Sequence, residues 1–167
     1  MPNCCCDPES SCCQTWKRVV RVTTTANLNA SRVGNILTAN VNGALSTDGV
    51  SPAVDDRVLV KNQTTGADNG IYRATDVGSS TTPWVMERDS DFDRSCEIVS
   101  GIMVPVSEGT QWADSIWLLT TNDDITLNST SLTFAEFPPG TFFRQFAQTA
   151  TVNVTNTTTE TTLTGSG

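Results

Sequence analysis

The feature that most constrains this chain's fold is a succession of short β-branched and aromatic runs. Turn residues cut each run off before a stable helix could form. The clearest is Arg57-Val58-Leu59-Val60-Lys61. In extended backbone, successive side chains alternate between faces, so Val58 and Val60 face one way and Leu59 the other. A polar stretch over 62–69 follows, and Gly70-Ile71-Tyr72-Arg73-Ala74 resumes the pattern, predicting a hairpin with a loop of several residues. Asn69-Gly70 supplies backbone tolerant of left-handed φ before that second strand. Thr47-Asp48-Gly49-Val50 has Asp-Gly turn chemistry, because glycine accepts positive φ at little steric cost.

Further strands are expected along the chain. Val19-Val20-Arg21-Val22-Thr23 reads as the first, while residues 24–46 carry weaker signals. Pro83 opens a short strand through Arg88, at a position where its missing N–H is tolerated. Glu97-Ile98-Val99 and Gly101 to Val106 read as a bent strand or two consecutive ones, with Pro105 favouring an edge or a bulge. Ser115 to Thr120, Ile125-Thr126-Leu127 and Leu132 to Phe137 close the series. About eight to ten strands at this spacing predict an all-β fold, a small antiparallel barrel or sandwich with extended N- and C-terminal arms. The residues expected in its core are Val58, Val60, Ile71, Tyr72, Trp84, Val104, Trp117, Leu119, Leu132 and Phe134.

Composition divides the 167 residues into three regions. Residues 1–17 hold five of the six cysteines, Cys4, Cys5, Cys6, Cys12 and Cys13, with Pro2 and Pro8 opposing a helix, and read as an anchoring arm. Residues 18–138 carry nearly all the strand signals and form the expected β domain. Residues 139–167 begin with an aromatic segment, Phe142 to Gln148, that suits a short helix or coil, and end as a Thr-rich linker or stalk lead-in.

Charge and residue usage exclude several function classes. Eighteen acidic against ten basic side chains give a net charge of −8, which repels a phosphate backbone and argues against nucleic-acid binding. No apolar run approaches the roughly 18 residues of a membrane helix, so membrane insertion is not expected. The start, Met1-Pro2-Asn3-Cys4, lacks a basic-then-apolar leader. Histidine is absent, which removes the commonest general base and metal ligand and every Ser-His or Cys-His arrangement. No catalytic centre, metal or cofactor is expected.

The remaining candidates for chemistry each have a plainer reading. The five clustered thiols fit disulfides within the arm or between subunits, a metal site, or reduced thiols. Adjacent residues point opposite ways in extended chain, so Cys4-Cys5-Cys6 would chelate one ion poorly. Cys96 reads as a small buried hydrophobe. Glu87-Arg88-Asp89-Ser90-Asp91-Phe92-Asp93 has the alternating acids of a calcium loop. Counting from Asp89, however, Arg94 and Ser100 stand where such a loop needs Gly and Glu. Glu87 with Asp89, or Glu97 with Glu108, are the carboxylate pairs that glycoside hydrolysis would require. Trp84, Trp112 and Trp117 suit either the core or a sugar-stacking platform.

Several of these segments together resemble a module of bacteriophage tail-fibre, tail and head-appendage proteins. The resemblance runs through Asp56-Arg57-Val58-Leu59-Val60-Lys61-Asn62-Gln63, Asn69-Gly70-Ile71-Tyr72 and Trp84-Val85-Met86-Glu87-Arg88-Asp89. It continues through Val104-Pro105-Val106-Ser107-Glu108-Gly109, Trp117-Leu118-Leu119-Thr120-Thr121, Ile125-Thr126-Leu127 and Leu132-Thr133-Phe134. It implies a β-rich structural unit with no catalytic centre, present in the virion and assembled in the host cytoplasm. Its implied partners are its own copies, as a homotrimer, other phage structural proteins of the tail, baseplate or capsid, and host surface polysaccharide. The Cys-rich start departs from the module's pattern.

Overall fold

A computed structural model describes residues 14–138. Cys4, Cys5, Cys6, Cys12, Cys13, the 142–148 segment and the Thr-rich end lie outside the described residues. Nine strands form two sheets. They are β1 (Val22–Thr23), β2 (Ala30–Val33), β3 (Ile36–Ala39), β4 (Arg57–Val60), β5 (Gly70–Asp76), β6 (Val85–Arg88), β7 (Met103–Pro105), β8 (Ile116–Leu119) and β9 (Phe134–Glu136). The six-stranded sheet has the order β1-β4-β5-β6-β3-β2, and the three-stranded sheet the order β7-β8-β9.

The fold is all-β, as the sequence pattern predicts, but the strands do not close into a barrel. Nor are they all antiparallel: β1 runs parallel to β4, with Val22 opposite Val58 and Thr23 opposite Leu59. A parallel neighbour requires a long crossover rather than a tight turn. Here the chain between β1 and β4 makes that crossover, and it carries the β2–β3 hairpin.

β4 and β5 are interior strands of the large sheet, and their apolar residues are buried on both faces. Val58 pairs with Tyr72 and Leu59 with Ile71. Val58, Val60 and Tyr72 join one core with Val22, Leu37, Ala74, Trp84 and Met86. Leu59 and Ile71 point to the opposite face and join a second core with Val104, Trp117, Leu119 and Leu132. That second core contains side chains from both sheets. Phe134 is only partly buried at its margin. Burying each large side chain contributes on the order of 2 to 3 kcal/mol, so the aromatic anchors Tyr72, Trp84 and Trp117 weigh heavily in so small a unit.

The structure revises four local expectations. The first strand shortens to Val22–Thr23, with Val20 making an isolated parallel bridge to Val106. Residues 24–46, weak in pattern, contain the β2–β3 hairpin; Leu37 and Ala39 of β3 are buried in a core, while Val33 stands 81% exposed at the tip. Glu97-Ile98-Val99 is not a strand: Ser95–Glu97 is a 3-10 turn whose geometry Glu97 itself fixes. Ile125-Thr126-Leu127 belongs to a turn in which Thr130 closes bonds to Thr126, while Ile125 and Leu127 still pack on the core. Apolar residues there serve burial without a ladder.

Residues 15–17, assigned in sequence to the arm, join the fold. Met103 donates its N–H to the Thr15 carbonyl at 2.7 Å and Lys17 donates to that of Met103 at 3.0 Å. Pro105 lies in β7, the outer strand of its sheet, as its lack of an N–H predicts.

Candidate functional site

The most unusual chemistry in the described residues is a group of ion pairs near the start of β4 and the end of β6. The turn after β6 brings Asp89 and Asp91 against Arg57 of β4 and Arg18 of the incoming segment. Asp89 is buried, 3% exposed at its side chain, and takes both Arg57 Nη1 and Arg18 Nη2 at 2.9 Å. Asp91 takes Arg57 Nη2 at 2.9 Å. Arg57 is itself only 10% exposed, so two carboxylates neutralise one buried guanidinium. Arg57 Nη1 lies within ion-pair distance of Asp89 but off the axis of a hydrogen bond, and Nε has no hydrogen-bond partner. The contact is therefore held by charge more than by bond geometry. Breaking such a buried pair costs about 3–5 kcal/mol, because it strands a charge in low dielectric.

The neighbouring buried charges hold the backbone. Lys17 Nζ donates to the carbonyls of Asp91 at 2.7 Å and Glu97 at 2.8 Å. Glu97 Oε2 accepts the N–H groups of Asp93 and Arg94. Burial pushes the Glu97 carboxyl above the ordinary carboxylate range, against the pull of those two amides, and the Asp93 charge adds to the rise. Arg88 donates to the carbonyls of Asn69 and Ala67 and to Asn128 Oδ1, and its guanidinium lies 4.9 Å from the centre of the Tyr72 ring. Burial lowers its pKa.

Three of the four acids proposed from sequence are thus employed elsewhere. Asp89 is ion-paired, Glu97 holds a turn, and Glu108 pairs with Arg21 at 3.1 Å. Glu87 is exposed on β6. Of the alternating acids of 87–93, Asp89 and Asp91 meet Arg18 and Arg57 rather than one another. Among the described residues, no group of three or more His, Cys, Asp or Glu side chains is placed to hold a metal ion.

The three tryptophans do not form a platform. Trp84 is buried in one core and Trp117 in the other. Trp112 meets Trp117 edge to face at 4.9 Å, and Lys61 Nζ caps the pair, 3.9 Å from the Trp117 ring centre. Burial depresses the Lys61 amine to about 8, although the Asp48 and Glu136 carboxylates favour its charged form. Asp48 sits in the predicted Asp-Gly turn, with φ of 48° followed by 74° at Gly49. Its carboxylate accepts the N–H groups of Gln111 and Trp112, pinning the loop that carries Trp112.

Cys96 is half-buried and disulfide-bonded, which corrects its reading as a small buried hydrophobe.

Among the described residues, two of the surface hollows bear on function. The larger, about 380 Å³, lies over the ion-pair group and is lined entirely by Arg, Asp, Glu and Ser side chains. The smaller, about 200 Å³, is lined mainly by amides and hydroxyls near Asn27, Asn40 and Gln63, most of which bond one another or the backbone. Sequence reasoning missed the larger hollow because Arg18, Arg57, Arg73 and Asp55 show no local motif. A partial signal was present in the two arginines at matched positions of a predicted hairpin. Arg57 and Arg73 are direct cross-strand neighbours.

No known protein family matches the chain, and no characterised protein and no solved structure shows significant similarity to it.

Proposed function

We propose that the protein is a structural component of a bacteriophage particle, a tail-fibre or baseplate appendage module that serves assembly and host attachment. The observation that carries this reading is how the buried ionisable groups are employed. Asp89 and Asp91 tie the turn after β6 to β4 and to the entering chain, Glu97 fixes a turn, and Asp48 pins a loop. Charges used this way stiffen a small β unit, and three of the four acids that the sequence offered for acid–base work, Asp89, Glu97 and Glu108, are engaged by arginines or backbone amides. The ordered resemblance over residues 18–138 supports the same reading. In it the cysteine arm anchors the protein to the particle or locks copies of a homotrimer together, and the end of the chain leads toward a stalk. A capsid decoration or head-fibre role would use the same stiff unit on a different lattice, and a carbohydrate-active tailspike would release sugars from host polysaccharide.

Gold-labelled antibody on intact particles tests the proposal. Label at the tail end supports the appendage role, and label spread over the head moves the protein to capsid decoration. Particles without label contradict both.

A further inference from the structure

We propose that the larger hollow binds a neutral carbohydrate, held by hydroxyl contacts to the Arg73–Glu87 pair. This inference rests on the attachment reading and names the chemistry that attachment would use. Arg73 of β5 and Glu87 of β6 are direct cross-strand neighbours, and Arg57 continues the row on β4. The row lies on the same face as Leu59 and Ile71, two residues further along each strand, where the apolar core has given way to charge. Arg73 does not bond the acid opposite it. Its Nη1 goes instead to Asp55 at 2.7 Å. Glu87 is left exposed with no ion-pair or hydrogen-bond partner, and Arg73 keeps most of its five donors. A free acceptor and a free donor fork therefore stand side by side on two rigid central strands. The buried Arg57–Asp89 pair lines the same hollow.

The lining selects the ligand class. It carries four arginines and four carboxylates, so a bare anion would meet Glu87 and Asp55, and a bare cation would meet Arg18 and Arg73. No apolar side chain lines it, so a peptide would bury no hydrophobic anchor there. A hydroxyl both donates and accepts, and adjacent sugar hydroxyls can donate a hydrogen bond to Glu87 while accepting one from Arg73. The volume of about 380 Å³ lies near the lower end of the range for small-molecule sites, which suits a short stretch of glycan.

The test uses the full chain, with saturation-transfer NMR against maltohexaose, cellohexaose, mannohexaose and an oligogalacturonate as the acidic control. At least one neutral oligosaccharide is expected to bind. Arg73→Ala and Glu87→Ala are each expected to weaken it by about tenfold or more, as loss of a charge-assisted hydrogen bond would. Both residues are exposed, and unchanged melting of each variant confirms folding; Asp55→Asn, which frees Arg73 without touching Glu87, serves if Arg73→Ala unfolds. Binding by no neutral oligosaccharide, binding unaltered by the substitutions, or salt-sensitive binding of the oligogalacturonate alone would each overturn the inference. Particle labelling without sugar binding sinks this inference and leaves the virion role standing. Sugar binding by a protein absent from particles does the reverse.

Discussion

A β-carbon placed on Gly70 would stand 2.2 Å from Arg88 Nη1 and 2.8 Å from Phe92 Cε1. Gly70 has φ of +148°, and Arg88 reaches past it to the Asn69 carbonyl. Gly70 thus lets a buried cation cross the first residue of a central strand. Gly70→Ala combines backbone strain with a clash against the fixed guanidinium and is expected to cost about 2–3 kcal/mol. Gly34→Ala is the control: φ is also positive, at 59°, but nothing lies within 4 Å, and a cost of about 1 kcal/mol is expected. Urea midpoints of the two variants check the difference, and equal losses would mean the Arg88 approach does not matter.

The ion pairs should divide by burial. Asp89→Ala leaves both Arg57 and Arg18 with Asp91 as their one remaining acid, and is expected to destabilise the protein by about 3 kcal/mol. Glu108→Ala breaks an exposed contact to Arg21, which keeps Asp56 at 2.6 Å, and should cost under about 1 kcal/mol. Chemical denaturation in low and high salt separates them, because only the exposed pair is strongly screened.

Alkaline pH should move stability in two opposite steps. Lys61 titrates at about 8 in the folded chain against 10.5 free, so between those values the unfolded chain holds a proton that the folded chain has released. Stability therefore rises with pH across that window. Tyr72 is pushed up by burial to about 12 from 10.0, so above pH 10 the folded chain is the one holding the extra proton and stability falls. Denaturation midpoints from pH 7 to 11.5 should peak near pH 10. Lys61→Met should abolish the rise and keep the fall; a rise that survives the substitution would locate its source elsewhere.

The disulfide at Cys96 should be detectable in the intact chain. Without reductant, alkylation followed by peptide mapping is expected to leave Cys96 unlabelled. Cys96→Ser is expected to lower stability by about 2–4 kcal/mol. Ready labelling of Cys96 in the unreduced protein contradicts the bond.

The β4–β5 hairpin was legible in sequence because its run of three apolar residues is buried on both faces, which requires a central strand. The Asp48-Gly49 turn was legible because positive φ at both residues leaves few alternatives. The β2–β3 hairpin was not: Ser31 and Val33 are exposed, so no apolar stripe distinguishes it from loop. The parallel β1–β4 pair was hidden by its 36-residue separation, since pattern reports local structure and not distant pairing. The ion-pair group was illegible for the same reason, as Arg18, Arg57 and Asp89 come from three separate segments. Tryptophan was misleading in the other direction: a residue suited to sugar stacking is equally suited to a core, and only packing decides between them.

The most direct test of the structural role is to purify phage particles by density gradient and quantify this chain against the major capsid protein by mass spectrometry. The chain is expected to co-sediment in a fixed ratio to the capsid protein, through high-salt washing, as an integral part does. A chain that stays in the lysate, or is washed from the particles, contradicts that role.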